Sequence, residues 1–465
     1  MLAGREGALE WARGRESPPP GDLLKNLLIS LDVVGLVLFA LFALQQTVAA
    51  LMPRLRPPTA DSGVDLIFLI PALNEVQVIE ATLLNLRETV PEARLVVIDD
   101  ASDDGTDAVV LRLSRQDPMI RLLRREFPEA RQNKGRAMNW AVARLLTDGT
   151  VRGDLSQTVF IGLDADGRIG RDFVRQVYGA FRDGRVVAAQ GWMRYRQEVP
   201  GLRGWRGALA QTLLLCQDVE NYILGHTQRY RHRAGTASLT GNGQCMRASY
   251  VAAQLARGVA PWPDVLLEDF GSAVEIRLDR PEHRIAFLDA HVRQQGMIEV
   301  RPLLRQRARW NQGTLECGRY LPRLWRSRAH PVTLLDFTYL ICGPWFASFL
   351  LLSILTQPLR RVLHGQGLLL PGWVGLLLSV LPLVFQVNWA LRYRRERGLA
   401  WWAVPLTLVL LPAFGFLTFW ALPLAFFNHL SGRKGWYKSV RHDEGPEQDA
   451  RTSREKAPTL SASGD

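Results

Sequence analysis

Cysteine is scarce in this sequence, and its few copies are far apart. The chain has four, at Cys216, Cys245, Cys317 and Cys342, and none forms a Cys-x-x-Cys pair or a Cys/His ligand spacing. Neither a structural zinc site nor a disulfide framework is therefore indicated. Isolated cysteines of this kind are typical of small buried hydrophobes, and they fit a reducing compartment.

Two common phosphate-binding loops are also missing. No Gly-x-x-x-x-Gly-Lys-Ser/Thr and no Gly-x-Gly-x-x-Gly occurs in the 465 residues. This absence argues against a P-loop kinase and against a dinucleotide oxidoreductase. An EF-hand beginning at Asp164 is excluded as well, because its sixth and twelfth positions, which need Gly and Glu, are Ile169 and Arg175.

Negative charge is in deficit. Lys and Arg number 57 against 45 Asp and Glu, a net charge of +12. Such a balance indicates an anionic partner: a nucleic acid, a membrane surface or a phosphate-bearing substrate. We expect no nucleic acid, because no basic helix in a base-reading context and no stacking-platform motif is present.

Long apolar runs, in contrast, are present near both ends. Residues 33–52 are almost uncharged and have the roughly 20-residue length of a membrane span. We predict an N-terminal segment, 1–57, with one transmembrane helix at about 31–52. A cleaved signal peptide is the alternative, but its apolar core is usually about 7–15 residues long and lies nearer the N-terminus.

The C-terminal part, 331–430, is predicted to hold three to four membrane segments, in the apolar blocks 332–355, 368–390 and 400–427. The last block is long enough for one tilted helix or for two short ones broken near Pro412. The basic stretch 392–398, RYRRERG, is typical of a cytoplasmic loop.

The region 58–330 has a different pattern. Short apolar runs at 65–71, 94–100 and 158–164 each end at a polar loop, and a helical pattern lies between the first two. Alternating strands and helices predict an α/β domain, and near-continuous apolar strands predict a parallel sheet covered on both faces.

The ends of these strands carry polar, mostly acidic residues. In order along the chain they are Asn74 and Glu75, then Asp99 and Asp100, then Asp164 and Asp166. Ligands of open parallel sheets bind outside the carboxyl ends of strands, so a site is expected here. One carboxylate at a strand end could instead cap a helix, as Ser102 or Asp103 could before a helix near Gly105.

The aspartates at 164 and 166 are separated by one residue and would repel each other when both are ionised. A divalent cation relieves that repulsion, and oxygen ligands of this type favour Mg²⁺ or Mn²⁺. We therefore expect a metal and a nucleoside-diphosphate ligand at this strand end.

Seven spaced motifs together resemble the membrane-bound family 2 glycosyltransferases, in the branch of the cellulose, hyaluronan, chitin and poly-N-acetylglucosamine synthases. They are PALNE, IDDASDDGT, NKGRAMNWA, LDADG, TGNGQCMR, LLEDF and RQRARW, starting at residues 71, 98, 133, 163, 240, 266 and 305. The resemblance implies a GT-A fold, a Rossmann-like nucleotide-sugar-binding α/β domain, combined with transmembrane helices at both ends.

The resemblance also implies roles for individual residues. Glu75, Asp99 and Asp100 match the ribose and uracil ligands of a UDP-sugar, and Lys134 a basic position near the nucleotide. Asp164 and Asp166 match the DxD motif, whose Mg²⁺ or Mn²⁺ ion bridges the diphosphate. Within Glu268-Asp269, Asp269 matches the general base. Gln306, Arg309 and Trp310 match QxxRW, beside the diphosphate and the acceptor.

Elementary chemistry agrees with these roles. A sugar hydroxyl is a poor nucleophile, so an inverting transfer needs a base such as Asp269 within hydrogen-bond reach. A guanidinium such as Arg309 matches phosphate geometry, and Trp310 offers a flat face to a sugar ring. Taken alone, the ED pair could simply begin a helix, and RQRARW could be a basic juxtamembrane anchor.

Three further stretches carry expectations. Residues 204–225 predict an amphipathic helix lying on an anionic leaflet, with an ordinary packing helix as the alternative. TGNGQCMR predicts a close-approach loop, or a plain turn, through Gly241 and Gly243. The tail 431–465 is predicted to be basic and then disordered; its start resembles a cytoplasmic ending of relatives, which would require the last apolar block to cross twice or re-enter.

The sequence thus predicts a multi-pass enzyme of the plasma membrane with a cytoplasmic catalytic domain. It would transfer a sugar from a UDP-sugar to a saccharide or lipid acceptor, and we expect processive polysaccharide synthesis. The alternative is a non-processive enzyme that makes a glycolipid, and a transporter or inactive scaffold is a third hypothesis. Leu267 departs from the family pattern, which has Thr before ED, so donor and acceptor identity stay open.

Overall fold

The computed structural model of the chain describes residues 20–151, 153–199, 201–356, 358, 361–362, 372–433 and 441–442. The chain divides into two compact units, Met1–Thr47 with Trp345–Asn388, and Val48–Pro344 with Trp389–Asp465. The second unit contains the sheet and every predicted site residue. Residues 1–19, and with them the start of the predicted N-terminal segment, lie outside the described residues, as does the predicted disordered tail beyond His442.

The second unit is built on an eight-stranded sheet in the order β3-β2-β1-β4-β7-β6-β8-β5. The strands are β1 (Asp65–Ala72), β2 (Arg94–Asp99), β3 (Ile120–Arg124), β4 (Thr158–Gly162), β5 (Arg168–Ile169), β6 (Val186–Tyr195), β7 (Gln244–Arg247) and β8 (Arg284–Gln294). The three strands predicted from apolar runs are thus confirmed as β1, β2 and β4.

The expectation of a parallel sheet holds for six of the eight strands. Strands β3, β2, β1, β4, β6 and β8 run in one direction, whereas β7 is antiparallel to β4 and β6, and β5 is antiparallel to β8. The two reversed strands are short and lie outside the apolar runs from which strands were predicted. The result is an α/β fold on a mixed sheet.

Helices of the second unit pack on both faces of the sheet. The helices of the described residues, from both units, are in chain order α1 (Pro20–Leu51), α2 (Ile79–Thr89), α3 (Thr106–Gln116), α4 (Lys134–Thr147), α5 (Arg171–Ala180), α6 (Gly204–Ala234), α7 (Ala248–Ala256), α8 (Glu268–Asp279), α9 (Val300–Glu316), α10 (Leu321–Arg326), α11 (Pro331–Ile341), α12 (Gly343–Leu355), α13 (Gly372–Arg397), α14 (Ala403–Phe419) and α15 (Ala421–Leu430).

The side chains of β1 alternate between two hydrophobic layers, as the two-residue period of a strand requires. Phe68 packs with helices α2 and α5 on one face, and Ile67 packs with α4 and α8 on the other. Both side chains are fully buried. The sheet is therefore covered on both faces.

Several predicted boundaries are wrong in detail. The helix expected at 204–225 continues to Ala234. The stretch 392–398, expected as a loop, forms the last turn of α13 through Arg397. Pro412 lies inside α14, and the interruption of the last apolar block falls at Trp420 instead. A proline within a helix that is apolar on all sides is tolerated when neighbouring groups satisfy the freed carbonyl.

Among the described residues, two helical stretches are long and apolar enough to cross a membrane, Asn26–Leu51 and Ala403–Leu430. The number of candidate spans rises to three if the bent pair of helices α11 and α12 forms one span. These correspond to the first, second and last of the predicted apolar blocks. Of the remaining block, 368–390, residues from Gly372 onward belong to α13 and the preceding ones lie outside the described residues.

A buried carboxylate joins α6, β6 and the end of α13. Asp218 is fully buried and accepts hydrogen bonds from the Arg194 guanidinium at 2.9 Å, from the Tyr195 backbone N–H at 2.8 Å and from the Tyr393 hydroxyl at 2.8 Å. Arg397 also pairs with it. Burial alone would raise the pKa of Asp218, but the two arginines hold it well below its ordinary value.

Asp218→Ala should destabilise the second unit strongly, because it leaves the buried Arg194 without its partner. We expect a loss of about 3–5 kcal/mol, the usual cost of breaking a buried pair. Asp279→Ala, which frees the half-exposed Arg257, should cost less than about 1 kcal/mol. Thermal unfolding of the two detergent-solubilised variants measures the difference, and equal losses would contradict it.

Candidate active site

The loops after β1 and β2 are bound to each other at the carboxyl edge of the sheet. The Asn74 side chain and Asp103 exchange two hydrogen bonds of 2.8 and 2.9 Å, and the Asn74 backbone N–H donates to the Ser102 hydroxyl. Ser102 and Asp103 therefore do not cap α3, whose N-cap is Gly105 with no side-chain bond. The helix-cap alternative is wrong, and these residues shape the loop instead.

Asp99 and Asp100 lie buried in that loop region. Asp99 accepts from the Ser102 backbone N–H and faces Arg124 at 3.6 Å, and Asp100 pairs with the buried Arg125 at 2.7 Å. Burial raises the pKa of both carboxyls despite these partners. Each carboxylate thus uses part of its hydrogen-bonding capacity to fix the loop, so the surface that the loop offers to a nucleotide is already ordered.

Asp164 of the predicted DxD motif is held by two partners. Its carboxylate pairs with the Lys134 ammonium at 2.5 Å, and its backbone N–H donates to the Asn242 side chain at 3.0 Å. Burial would raise the pKa of Asp164, but the charge and hydrogen bond of Lys134, together with the charges of Arg441 and Arg309, lower it. Lys134 and Asn242 thus hold Asp164 in one orientation.

Asp166 is fully buried. Its Oδ2 accepts from the Gln295 backbone N–H at 2.8 Å and pairs with the Arg441 guanidinium at 2.9 Å, while Oδ1 has no hydrogen-bond partner among the described residues. Glu75, from the loop after β1, lies 3.6 Å from the same guanidinium. The structure thus brings Glu75 to the predicted metal-binding pair.

Glu268 and Asp269 are the first two residues of α8, so the helix-start reading of the ED pair is also correct. Both are buried, and Lys134 lies 4.0 Å from Glu268. Lys134 consequently stands between the DxD pair and the ED pair and joins the two halves of the site. Burial raises the pKa of both acids, and the neighbouring Asp269 helps to raise that of Glu268 to about 7.

The loop TGNGQ approaches Asp269 closely. Gly241 has a φ of +89°, and a Cβ placed there would stand 3.0 Å from Asp269 Oδ2. Gly243 also has a positive φ, and its Cβ would meet Val292 at 2.5 Å. The close-approach prediction is therefore confirmed, and the plain-turn alternative does not explain these contacts.

Helix α9 carries the third group. Gln306 is buried, and Trp310 has Arg307 at 4.6 Å from its ring. Arg309 makes no ion pair within 4 Å among the described residues, and its buried Nε has no partner there. Burial lowers the pKa of Arg309, opposed by the charges of Glu268, Asp269 and Asp164. A buried guanidinium without a partner suits an incoming anion.

A resident metal would find two protein carboxylates at this position. Among the described residues, no three His, Cys, Asp or Glu side chains converge as a ready-made metal cage. The orphaned Asp166 Oδ1 and the oriented Asp164 nevertheless fit Mg²⁺ or Mn²⁺, which is commonly bound through one or two carboxylates plus substrate phosphates.

The structure thus brings Asp164, Asp166, Glu268, Asp269, Arg309 and Lys134 together, with Glu75 beside them. Four contributors were missed: Asn242, Gln295, Arg125 and Arg441. Asn242 lies within the motif TGNGQCMR, where the pattern of an asparagine between two glycines could have indicated it. The others carry no local signal, because only the tertiary fold brings them to the carboxylates.

Comparisons with known proteins find similar sequences. Residues 67–251 match the family Glycosyl transferase family 2. The chain is 27% identical over 256 residues to a beta-monoglucosyldiacylglycerol synthase of Synechocystis sp., and 25% identical over 167 residues to an undecaprenyl-phosphate mannosyltransferase of Micrococcus luteus. These alignments cover 53% and 34% of the chain, and 47% and 63% of the relatives' lengths.

A solved structure shares the fold. A mannosyltransferase from Pyrobaculum calidifontis, in complex with GDP-Man and Mn²⁺, superposes with a TM-score of 0.54 at 18% identity, covering 87% of this chain and 99% of that one. The fold is thus GT-A-like, and the similarity to glycosyltransferase family 2 lies in the α/β region, at residues 67–251. The narrower branch of polysaccharide synthases is not shown, since the relatives named above are glycolipid synthases.

Gly241→Ala should abolish most transferase activity, by at least about tenfold, because its methyl group would crowd the base candidate Asp269. Gly258→Ala is the matched control, with a φ of +70° and nothing within 4 Å of the added Cβ. Both variants should lose about 1 kcal/mol from the left-handed backbone. Steady-state rates and thermal unfolding separate the two effects; equal activity in both variants would contradict the contact.

The raised carboxyl pKa values predict a pH dependence. If Asp269 is the base, it must be ionised to accept a proton, and because burial raises its pKa, kcat/KM should begin to fall at a higher pH than the ordinary carboxyl value would give. Glu268→Gln should move this acid limb to lower pH, because a like charge no longer opposes ionisation of Asp269. Glu275→Gln, farther along the same helix and paired with Arg323, should leave the profile unchanged. A wild-type limb near pH 4 would refute the prediction.

Proposed function

We propose that the chain is a membrane-associated, inverting family 2 glycosyltransferase that adds a single sugar from a UDP-sugar to a lipid acceptor. One observation carries the proposal: Lys134 bridges Asp164 at 2.5 Å and Glu268 at 4.0 Å, which puts the diphosphate end of the site beside the base end. A sugar bound by its diphosphate would therefore present its anomeric carbon to the neighbourhood of Asp269.

In this proposal the donor nucleotide lies against the loop of Asp99 and Asp100, with Glu75 toward the ribose. A divalent ion held by Asp164 and Asp166 would neutralise the diphosphate and stabilise the departing UDP. Arg309, buried and without an ion-pair partner among the described residues, contributes a second positive charge where the leaving group becomes negative. Gln306, behind Arg309 on the same helix, supports that arrangement.

Asp269 acts as the base. It takes the proton of the acceptor hydroxyl as that oxygen bonds to the anomeric carbon from the face opposite the diphosphate, and the anomeric configuration inverts. Its Oδ1 accepts the Phe270 backbone N–H at 2.7 Å, and its Oδ2 points toward the Gly241 loop. One oxygen is therefore fixed by its own helix, and the other is available to the acceptor.

The acceptor side lies next to a candidate membrane span. Helix α9 packs through Ala308 against Ala421 and Ala425 of α15, which belongs to the span Ala403–Leu430. Arg307, stacked on Trp310, also lies 6.0 Å from the ring of Phe414 in α14. An acceptor whose body stays in the bilayer could thus offer its polar head to the site.

The remaining sequence predictions fit this proposal. The α/β domain, 58–330, would be cytoplasmic and held at the plasma membrane by the N-terminal helix and the C-terminal region. The start of α6, with Trp205 71% exposed and Arg206 against its ring, would lie on the anionic leaflet. The basic last turn of α13 would face the same side.

Processive polysaccharide synthesis is the less well supported reading. The relatives' names describe a monoglucosyldiacylglycerol and an undecaprenyl-phosphate sugar as products, both glycolipids. A lipid acceptor also needs no path for a growing polymer. The catalytic residues and the donor site would be the same in either case.

Product analysis tests the proposal. Membranes containing the protein, incubated with a panel of radiolabelled UDP-sugars and with GDP-mannose and Mn²⁺, should incorporate label from one UDP-sugar into a solvent-extractable lipid. The Asp269→Asn variant should lose about 10²- to 10⁴-fold of that rate, while Asp279→Asn at the far end of the same helix should retain it. Label confined to high-mass polymer would overturn the lipid acceptor. Transfer from GDP-mannose alone would overturn the UDP donor.

A further inference from the structure

A cation from the C-terminal end of the chain occupies the predicted metal pair. Arg441 pairs with Asp166 at 2.9 Å and faces Glu75 at 3.6 Å, and its side chain is only 13% exposed. It follows Asp166 by 275 residues in sequence (441 − 166). None of the motifs predicted that this residue would lie in the site.

The neighbouring backbone is fastened to the site as well. The Gln295 side chain donates to the His442 carbonyl at 2.8 Å and accepts from the His442 backbone N–H at 3.0 Å. The backbone N–H of the same Gln295 binds Asp166 Oδ2. One residue, immediately after β8, thus holds both the aspartate and the segment that brings the arginine to it.

Arg441 and a divalent ion would compete for Asp166. A guanidinium on Oδ2 places a positive charge within a few ångströms of any ion bound to the same carboxylate, and in a buried site that repulsion is weakly screened. If Arg441 left without a replacement, the buried carboxylate of Asp166 would have no compensating positive charge, which is strongly unfavourable. Either cation satisfies Asp166, and each disfavours the other.

Lys134 does not have this dual character. Its ammonium lies between Asp164 and Glu268, where it joins the two ends of the site, and it is the first residue of α4. The helix packs close to Glu268 at Gly135, where an added Cβ would lie only 3.0 Å from the Cβ of Glu268. Lys134 is thus fixed by the packing of α4, whereas Arg441 is attached through two hydrogen bonds from one side chain.

We propose that Arg441 is a resident counter-cation that closes the metal position of the ligand-free enzyme and must leave Asp166 before a divalent ion can bind. The ligand-free site is then neutralised by the chain itself, and metal affinity is set by the competition. The inference rests on the proposed function, because it presupposes a metal at Asp164 and Asp166.

The test measures Mn²⁺ binding to the full-length, detergent-solubilised protein without nucleotide, by the electron paramagnetic resonance of free Mn²⁺. Arg441→Gln should bind Mn²⁺ about tenfold more tightly than the wild type, as loss of one adjacent charge implies. Arg441→Lys should restore the weak binding, because it keeps the charge. Arg323→Gln, which removes an equally charged arginine from an exposed pair with Glu275, should change nothing.

A second variant keeps the inference testable if Arg441→Gln fails to fold. Gln295→Leu retains the arginine and the backbone bond to Asp166 but removes both bonds to His442, so it should also tighten Mn²⁺ binding, though by less. Equal affinity in wild type, Arg441→Gln and Gln295→Leu would overturn the competition alone. If neither the wild type nor any variant binds Mn²⁺, the proposed metal site is overturned together with the competition. An Asp166→Asn variant that alone loses Mn²⁺ binding would confirm the position of the site.

Discussion

The concentration of negative charge at one edge of the sheet is the constraint on which the rest of the site depends. Five carboxylates converge there, Glu75, Asp164, Asp166, Glu268 and Asp269, against three cations, Lys134, Arg309 and Arg441. Because these groups are buried, the excess of negative charge is energetically unfavourable, and the structure reduces it in two ways. Lys134 and Arg441 pair directly with the aspartates, while the ED acids have raised pKa values and hold protons more tightly.

The same imbalance explains why such a site suits a metal and a diphosphate together. With all five acids ionised the three cations leave an excess of two negative charges, and a divalent ion that replaces Arg441 reduces the excess to one. A nucleoside diphosphate then brings its own negative charge to the metal and to Arg309, the cation without an ion-pair partner in the described part of the chain. Binding both ligands at once therefore changes the net charge of the site little, which a buried site requires.

Sequence reasoning found the acidic strand ends because the constraint behind them is local. A strand that ends in a carboxylate is visible in a stretch of seven residues, and parallel strands must present their ends at one edge. The reversed strands β7 and β5 were not visible, since both are short and lie outside the apolar runs that marked β1, β2 and β4. The break at Trp420 was missed for a related reason: proline is the residue that usually interrupts a helix, but here Pro412 is accommodated.

The groups that neutralise the acids were the least predictable part. Arg125, Gln295 and Arg441 lie in stretches without a motif, and their roles arise only when β8 and the segment at residue 441 meet the DxD loop. A charge reads as solvated surface until a buried partner is known. The acids of such a buried site can thus be inferred from sequence patterns. The cations that neutralise those acids in the protein interior are brought to them only by the tertiary fold, and one of them, Arg441, lies far along the chain from the acids it pairs with.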